Sequence, residues 1–272
     1  MRPDLQELQA LCKEVRRDIV KMTAAAGSGH PGGSLSSVEL LVSLYFAKMR
    51  HDPQRPDWAN RDRFVLSKGH VAPVLYSVLA RSGYFPIDEL LTLRKLGSRL
   101  QGHPHMLSLP GLDNSSGSLG QGLSQANGLA LAARLNGQDY RVYCLLGDGE
   151  LQEGQVWEAI MTAAHYKLAN VCAIVDYNNL QIDGTVEEII GLDPLDDKWK
   201  AFNWHVISID GHDIEQVLAA YDEAESIKDK PTVIIAKSIK GKGVSFMENV
   251  AGWHGKAPNA DELAKALAEL AN

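Results

Sequence analysis

Two polar segments of the sequence could together hold a metal ion. Gly147-Asp148-Gly149 ends one short apolar run, and Asn178 follows the next one. A carboxylate, an amide oxygen and a nearby backbone carbonyl would form part of a shell of hard oxygen ligands. Since one carboxylate alone holds Mg²⁺ weakly, we expect the bound ligand to bring anionic oxygens of its own, as a diphosphate does.

The glycines of these segments suit such an anion. Gly149 would let the backbone approach a diphosphate closely, beside the N-terminus of the following helix. Asp-Gly and Asn-Asn dipeptides also occur in ordinary turns that bind nothing, and this alternative stays open for each segment alone.

The histidines give a second signal, because four of the nine directly follow a glycine. These are His30, His70, His103 and His212, and His254 stands before a glycine. Imidazoles titrate near neutral pH and can move protons between hydroxyl groups, so we predict catalytic roles for His30, His70, His103 and His254. A purely structural role in a loop is the alternative for each of them. For His212, which precedes a predicted helix, capping and turn formation are favoured.

Residues 114–122 form a polar, glycine-rich loop that opens directly into a helix of small residues, 123–135. The loop could approach a flat or anionic ligand closely, with Leu119 as an apolar contact for a ring. A flexible connector is the alternative that composition alone supports equally.

The apolar runs predict the elements that position these residues. Continuous apolar runs joined by a helical pattern are typical of parallel strands buried on both faces. The predicted strands are 141–147, 170–176, 205–209 and 232–236, and the predicted connecting helices are 153–167 and 214–227. The alternation predicts an α/β fold with a doubly wound parallel sheet and helices on both faces. Ligands of such sheets bind beyond the carboxyl ends of the strands, where Asp148 and Asn178 lie.

Helical spacing of apolar residues predicts further helices outside this sheet. A first amphipathic helix covers about 20 residues from Leu5, and others are predicted at 36–48, 71–81, 86–95 and 259–270. Pro86 suits the first turn of its helix.

Composition excludes several classes of protein. The 272 residues carry 27 Lys and Arg against 34 Asp and Glu, a net charge of −7 that offers no basic surface for nucleic acid. Apolar stretches are too short to span a membrane, and the N-terminus lacks the pattern of a signal peptide. The three cysteines are scattered, so we expect a protein of the reducing cytoplasm.

At this point the ordered motifs resemble a known family. The spacing of Gly147-Asp148-Gly149 and Asn178-Asn179 is that of the thiamine diphosphate signature. Five further segments resemble transketolase blocks in their usual order, and together they extend over nearly the whole chain: 28–32, 61–70, 102–104, 117–122 and 253–255. The sequence therefore resembles the N-terminal, thiamine diphosphate-binding part of a transketolase. It departs from the usual pattern at Ser118, where proline is common, and at residues 113–116.

The resemblance implies a role for each matching residue. Asp148, Asn178 and the carbonyl of Leu180 would hold Mg²⁺ or Ca²⁺. The cofactor would contact His70, Gly117, Ser118, Leu119, Gly147, Asp148, Gly149, Glu150, Asn178 and His254. Substrate hydroxyls would contact His30, His103 and His254. Glu153 and Glu158 would lie near a subunit interface, with first-turn acids that complement the helix dipole as the alternative.

The resemblance also implies a partner. Residues 1–272 would form one diphosphate-binding domain, while the pyrimidine-binding domain and the third domain of transketolases would lie on a C-terminal partner subunit in a heterotetramer. The pair would transfer a two-carbon ketol unit between sugar phosphates, as in the pentose phosphate pathway. Alternatives are a deoxyxylulose-phosphate synthase-like or oxo-acid dehydrogenase-like enzyme, a transketolase specialised for an unusual sugar phosphate, or a noncatalytic binding module.

Overall fold

Five parallel strands form one sheet in the order β1-β2-β3-β5-β4 in the computed structural model, which describes residues 3–271. The strands are β1 (Arg63–Leu66), β2 (Val142–Gly147), β3 (Val171–Tyr177), β4 (His205–Asp210) and β5 (Thr232–Lys237). The α-helices are α1 (Leu5–Ala26), α2 (Pro31–Ser36), α3 (Val38–Ser43), α4 (Ala72–Arg81), α5 (Gly122–Leu135), α6 (Gly154–His165), α7 (Val186–Ile190), α8 (Leu195–Ala201), α9 (Ile214–Ser226) and α10 (Ala260–Glu269). The predicted fold class is confirmed.

The register of the sheet brings the carboxyl ends of the central strands together. Gly147 at the end of β2 pairs with Asp176 of β3, and Tyr177 pairs with Lys237 at the end of β5. Residues that follow β2, β3 and β5 therefore start from the same edge, which is where the sequence predicts the site.

Helices cover the two faces of the sheet, and each face has its own core. Alternate side chains of β2 divide between the two: Tyr143 and Leu145 belong to one cluster, and Cys144 and Leu146 to the other. The first cluster packs against α1, α3, α4, α9 and α10, and the second against α5, α6 and α8. This division follows from the alternation of side chains along a strand.

The first helix ends where the site begins. Asp4 and Glu7 form a capping box at the N-terminus of α1, and Gly27 at its C-terminus adopts the left-handed conformation, with φ of 60°. Such a residue stops a helix and turns the chain away from its axis. The turn leads directly into Ser28-Gly29-His30, so the end of α1 places the first candidate histidine.

Two predicted helices differ from the structure. The helix predicted at 36–48 starts earlier, at Pro31, is interrupted at Ser37, and ends in a π-helical turn, Leu44–Lys48. The hydroxyls of Ser36 and Ser37 both donate to the carbonyl of Gly33, a local competition that disfavours a regular helix.

The second difference concerns residues 86–95, which form only a 3-10 segment, Ile87–Thr92. Pro86 precedes this segment in an extended conformation and does not occupy its first turn.

Three elements escaped the sequence analysis. Strand β1 has only four residues and begins with the last residue of the charged run 61–63, which hides its apolar character. Helices α7 and α8 have five and seven residues, too few to show a helical period. No helix within residues 3–271 combines the length and the apolar character needed to cross a membrane.

We expect Gly27→Ala to destabilise the fold by about 1 kcal/mol, because a side chain disfavours the left-handed conformation. A Cβ at Gly27 would meet no atom within 4 Å, so the cost is conformational and not steric. Urea unfolding of the full chain measures the change.

The matched control is Gly128→Ala in the middle of α5, where a Cβ also meets nothing within 4 Å. This substitution should stabilise the protein by up to about 1 kcal/mol, because alanine favours a helix interior. Equal shifts in the same direction for both variants would contradict the explanation.

Candidate active site

A cleft of about 280 Å³ lies at the carboxyl ends of the central strands. Most of the predicted site residues line it: His30, His70, Gly117, Leu119, Gly147, Asp148, Gly149, Glu150, Asn178, Leu180 and His254. Gly33, Lys68, Gln181, Ile182 and Lys240 complete the lining. Segments that are far apart in the sequence thus meet in one depression.

Asp148 follows β2 and is only 3% exposed. Its Oδ1 accepts a hydrogen bond from the N–H of Gly149 at 2.7 Å, and its Oδ2 accepts one from the N–H of Asn179. The second bond joins the loop after β2 to the loop after β3. Burial, with the nearby negative charge of Asp176, raises the pKa of Asp148 to about 6. A carboxylate in this position is electrostatically suited to a positively charged ligand.

Asn178 is held with its amide oriented. Its Nδ2 donates to Oδ2 of Asp176 at 3.2 Å, and its Oδ1 accepts from the N–H of Leu180 at 3.1 Å. The next residue, Asn179, takes a left-handed conformation with φ of 59°, which asparagine tolerates better than most residues. This tight turn brings Asn178 and the Leu180 backbone to the cleft where Asp148 lies.

The donor set fits a hard divalent cation. Within residues 3–271, no group of three His, Cys, Asp or Glu side chains could hold a metal. The candidate ligands are instead one carboxylate, one amide oxygen and one carbonyl, those of Asp148, Asn178 and Leu180, which all line the cleft. Such a set suits Mg²⁺ or Ca²⁺ when the ligand contributes further oxygens. Lys240 donates from Nζ to the Leu180 carbonyl at 2.7 Å, so an ammonium group already contacts one of these oxygens.

The four histidines predicted to be catalytic form one cluster. The ring centroid of His30 lies 5.2 Å from that of His70, 5.4 Å from that of His254 and 6.4 Å from that of His103. His70 and His254 are 5.1 Å apart. Three of the four line the cleft, and His103 stands beside them.

These imidazoles are neutral near pH 7. Burial is the largest cause, and it lowers the pKa of His30 to about 4 and that of His254 to about 3. Arg94 lowers the pKa of His30 further, and Lys240 that of His254. Burial also lowers the pKa of His70 and of His103. A neutral imidazole has one donor and one acceptor nitrogen, which suits hydrogen bonding to sugar hydroxyls.

Two lysines of the cleft were missed by the sequence analysis. Lys68 follows β1, and its Nζ pairs with the fully buried carboxylate of Asp176. Lys240 lies shortly after β5, and its Nζ is 3.1 Å from Nδ1 of His254. Applying the strand-end rule to the predicted strand at 232–236 would have pointed to Lys240. Lys68 had no such signal, because β1 itself was not recognised.

The glycine-rich loop reaches the cleft only in part. Gly117, with φ of 156°, and Leu119, which is 37% exposed, both line it. Ser118 instead lines a neighbouring polar groove with Ser116 and Gln121. The structure therefore brings two of the three predicted loop residues to the cleft.

Glu150 lies in the cleft wall, but its contacts are to the protein. Its Oε1 accepts hydrogen bonds from the hydroxyl of Ser67 and the N–H of Gly120, and its Oε2 accepts from the N–H of Gly147. These bonds tie the glycine-rich loop to the ends of β1 and β2. The observed geometry makes Glu150 a support of the cleft wall.

Glu153 and Glu158 are both exposed. Glu153 immediately precedes α6 and Glu158 lies within it, outside the cleft. Glu153 is the N-cap residue at the positive end of the helix dipole, which agrees with the dipole alternative, whereas Glu158 lies beyond the first turn.

His212 does not cap α9, because the N-cap is Asp213. Its Nε2 accepts from the N–H of Ile239 at 2.8 Å, and its Nδ1 lies 3.0 Å from a carboxylate oxygen of Glu39. His212 thus links the loop after β4 to the loop after β5, which agrees with the predicted role in a turn.

Lys68→Met should destabilise the protein by about 3–5 kcal/mol, because it leaves the buried carboxylate of Asp176 without its cation. Although burial opposes ionisation, Lys68 lowers the pKa of Asp176 from 3.8 to about 2. A lowered carboxyl pKa stabilises the fold above the unfolded value, and this contribution is lost as the pH falls from about 4 to about 2.

Urea titrations at several pH values measure both effects. In Lys68→Met, the pKa of Asp176 should rise, so the loss of stability that this carboxyl causes between about pH 4 and pH 2 should shrink or disappear. Lys200→Met, which removes an exposed lysine near Asp197, is the control and should change little. A loss equal to that of the control would refute the importance of the buried pair.

Comparison with known proteins agrees with this geometry. Residues 8–271 match the family described as transketolase, thiamine diphosphate binding domain. A 6-deoxy-6-sulfo-D-fructose transketolase subunit of Clostridium sp. (strain MSTE9) is 45% identical over 264 residues, which cover 97% of this chain and 96% of that protein. One of the apulose-4-phosphate transketolase subunits, from Actinobacillus succinogenes, is 45% identical over 267 residues, with 97% and 96% covered.

Solved structures show the same relationship in three dimensions. The transketolase of Campylobacter jejuni superposes with a TM-score of 0.93 at 35% identity, covering 99% of this chain and 43% of that one. The matched region includes the whole cleft, from His30 to His254. The chain therefore belongs to the transketolase family and carries its thiamine diphosphate-binding domain.

Proposed function

We propose that this chain is the N-terminal subunit of a two-chain transketolase that transfers a two-carbon ketol unit from a ketose phosphate to an aldose phosphate. One observation carries the proposal: a hard oxygen donor set lines one cleft with three histidines of a cluster of four neutral ones. The first suits a metal-bound diphosphate, and the second suits the hydroxyl groups of sugars.

The cofactor end of the cleft is assigned to the loops after β2 and β3. Asp148, Asn178 and the carbonyl of Leu180 would hold Mg²⁺, or Ca²⁺, which would balance the charge of the diphosphate. Gly147 and Gly149 have no side chain, which leaves their backbone accessible to the diphosphate. At Gly149 this space is narrow, because a Cβ there would lie 3.3 Å from Gln181. When bound, thiamine diphosphate supplies the ring that accommodates the electron pair of the transferred unit.

The ammonium of Lys240 lies close to the proposed cation site. Its ammonium contacts the Leu180 carbonyl at 2.7 Å, and a divalent cation at that oxygen would repel it. The ammonium would then be available to pair with the anionic oxygens of the diphosphate. Burial lowers the pKa of Lys240 to about 8, so it keeps its charge near pH 7.

The chain's own side chains bind and orient the substrate. His70 and His254 adjoin the diphosphate end, while His30 and His103 reach toward the sugar. Their imidazoles donate to and accept from hydroxyl groups, and they move a proton where a hydroxyl becomes a carbonyl or the reverse. Gly117 and Leu119 would contact the cofactor rings, while Ser118 lines the neighbouring groove.

The second half of the site is assigned to a partner. This chain is one diphosphate-binding domain, and a C-terminal subunit supplies the pyrimidine-binding domain. In support, the matched relatives of similar length are named as subunits, whereas the solved transketolase is more than twice as long. A cofactor held between two chains favours a closed heterotetramer with two copies of each, with Glu153 and Glu158 facing the interface. We place this assembly in the cytoplasm.

A specialised sugar is the second candidate within the same chemistry. Two similar relatives are named for 6-deoxy-6-sulfo-D-fructose and for apulose-4-phosphate. These names favour an unusual ketose or aldose over the substrates of the pentose phosphate pathway. They also favour ketol transfer over pyruvate-dependent chemistry, because both proteins are called transketolase subunits.

Asp148→Asn should weaken binding of thiamine diphosphate with Mg²⁺ by at least about 100-fold, since loss of an outer partner of a metal ligand alone costs about 10–100-fold. Calorimetric titration of the full chain, with and without its partner, measures the affinity. Asp183→Asn is the control, because it removes the same charge from an exposed site outside the cleft lining. Equal binding by both variants would exclude Asp148 as a ligand.

We expect the purified chain to show no ketol transfer, and addition of a chain with the pyrimidine-binding half to restore it. The physical reason is that half of the cofactor environment belongs to the other subunit. Product formation from a ketose phosphate and an aldose phosphate, followed by chromatography, measures the activity. Turnover by the pure isolated chain would overturn the partner requirement, and activity with pyruvate as donor would favour the synthase-like alternative.

A further inference from the structure

Arg94, which the function proposed above does not use, has an unusual backbone. Its φ is 58°, in the left-handed region that residues other than glycine seldom adopt. Its N–H donates to the carbonyl of Leu100 at 2.8 Å, which closes a short loop. A non-glycine residue in this region persists only where its surroundings require it.

The guanidinium of Arg94 lies beside His30, a residue of the cleft lining, and against the backbone of Gly102. A Cβ at Gly102 would come within 2.6 Å of Cζ of Arg94, so glycine leaves the space that the guanidinium fills. The group donates from NH1 to the hydroxyl of Ser28 at 3.1 Å, and its NH2 is 3.5 Å from Nδ1 of His30. Gly102, Ser28 and the loop backbone together fix the group beside His30.

The direction of the contact with His30 is set by chemistry. A guanidinium can only donate, so Nδ1 of His30 must accept, and the hydrogen of the neutral ring must be on Nε2. Nε2 lies on the opposite side of the ring, 3.7 Å from the position of a Cβ at Gly255. Within residues 3–271, no hydrogen bond to Nε2 is found.

Other charged groups around His30 act in the same direction. The ring faces His70, His103 and His254, with Lys240 behind them. Burial is the largest cause that lowers the pKa of His30, and Arg94 is the next, ahead of His103 and Lys240. Arg94 thus opposes the imidazolium form and selects one tautomer of the neutral form.

We propose that Arg94 is a positioning residue that holds His30 with its hydrogen on Nε2, the ring nitrogen that faces away from Arg94. His30 then donates a hydrogen bond from Nε2 to a substrate oxygen. The hydrogen bond from His30 to the substrate rests on the proposed ketol transfer, whereas the tautomer of His30 does not depend on it. In this role Arg94 acts on the substrate only through His30 and does not bind the substrate through its own charge.

Nitrogen-15 NMR of the full chain, labelled at histidine, tests the tautomer directly. Comparison with His30→Gln identifies the His30 signals. In the native chain at pH 7, Nδ1 should resonate as an unprotonated nitrogen and Nε2 as a protonated one. In Arg94→Met, the two signals should move toward each other as both tautomers become populated, and the pKa of His30 should rise.

Three further variants separate positioning from general effects. Gly102→Ala should shift the His30 signals as Arg94→Met does, because its Cβ displaces the guanidinium. Arg94→Lys should keep most of the native tautomer, since it retains a donor. Arg99→Met, which removes the neighbouring arginine paired with Glu89, should leave the His30 signals unchanged. Native-like His30 signals in Arg94→Met would overturn the proposal.

Kinetics of the chain assembled with its partner give the second readout. Arg94→Met should lower kcat about 10-fold, which is less than a positioned acid–base group contributes in full. The acid limb of the pH profile should shift to higher pH, because the pKa of His30 rises. An increase in KM alone, for phosphorylated substrates only, would mean that Arg94 binds an anion and would refute the proposal. If the native assembly transfers no ketol unit, the proposed function fails, while the NMR result still decides the tautomer.

Discussion

At the end of β3, the buried carboxylate of Asp176 gathers donors from four separate parts of the chain. It accepts hydrogen bonds from the side chains of Lys68, Ser36, Ser37, Asn178 and Ser238. The segments after β1, β3 and β5 and the break between α2 and α3 are thereby held to one point. Since an unpaired buried carboxylate is costly, the edge of the sheet cannot loosen at one of these segments without affecting the others. The cleft owes its fixed shape to this network.

The charges around Asp176 also influence the protonation state of the histidines in the cleft. Lys68 and Lys240 balance Asp148 and Asp176 in a region shielded from water. The same positive charges disfavour a protonated ring at His30, His70 and His254, which burial already disfavours. The protein therefore places neutral imidazoles beside a group of balanced buried charges, and both line one cleft.

The sequence allowed the central strands, the crossover helices and the position of the site to be predicted, because buried parallel strands leave long apolar runs. It also identified the four histidines, since glycine stood beside each of them. Their mutual packing could not be predicted, because it depends on how α1 ends and on how the loop at 94–102 folds back. Lys68 was missed for a different reason: its strand is too short and too near charged residues to show a pattern. The contacts of Glu150 and Ser118 depend on loop geometry of a few ångströms, which residue types do not specify.

The two cores of the domain share the backbone of the sheet but few side chains. A core substitution under α1 or α9 therefore has little effect on the packing under α5 and α6, because the two cores consist of different side chains. The packing of one helical layer can therefore change while the loops at the carboxyl ends of the strands keep their places.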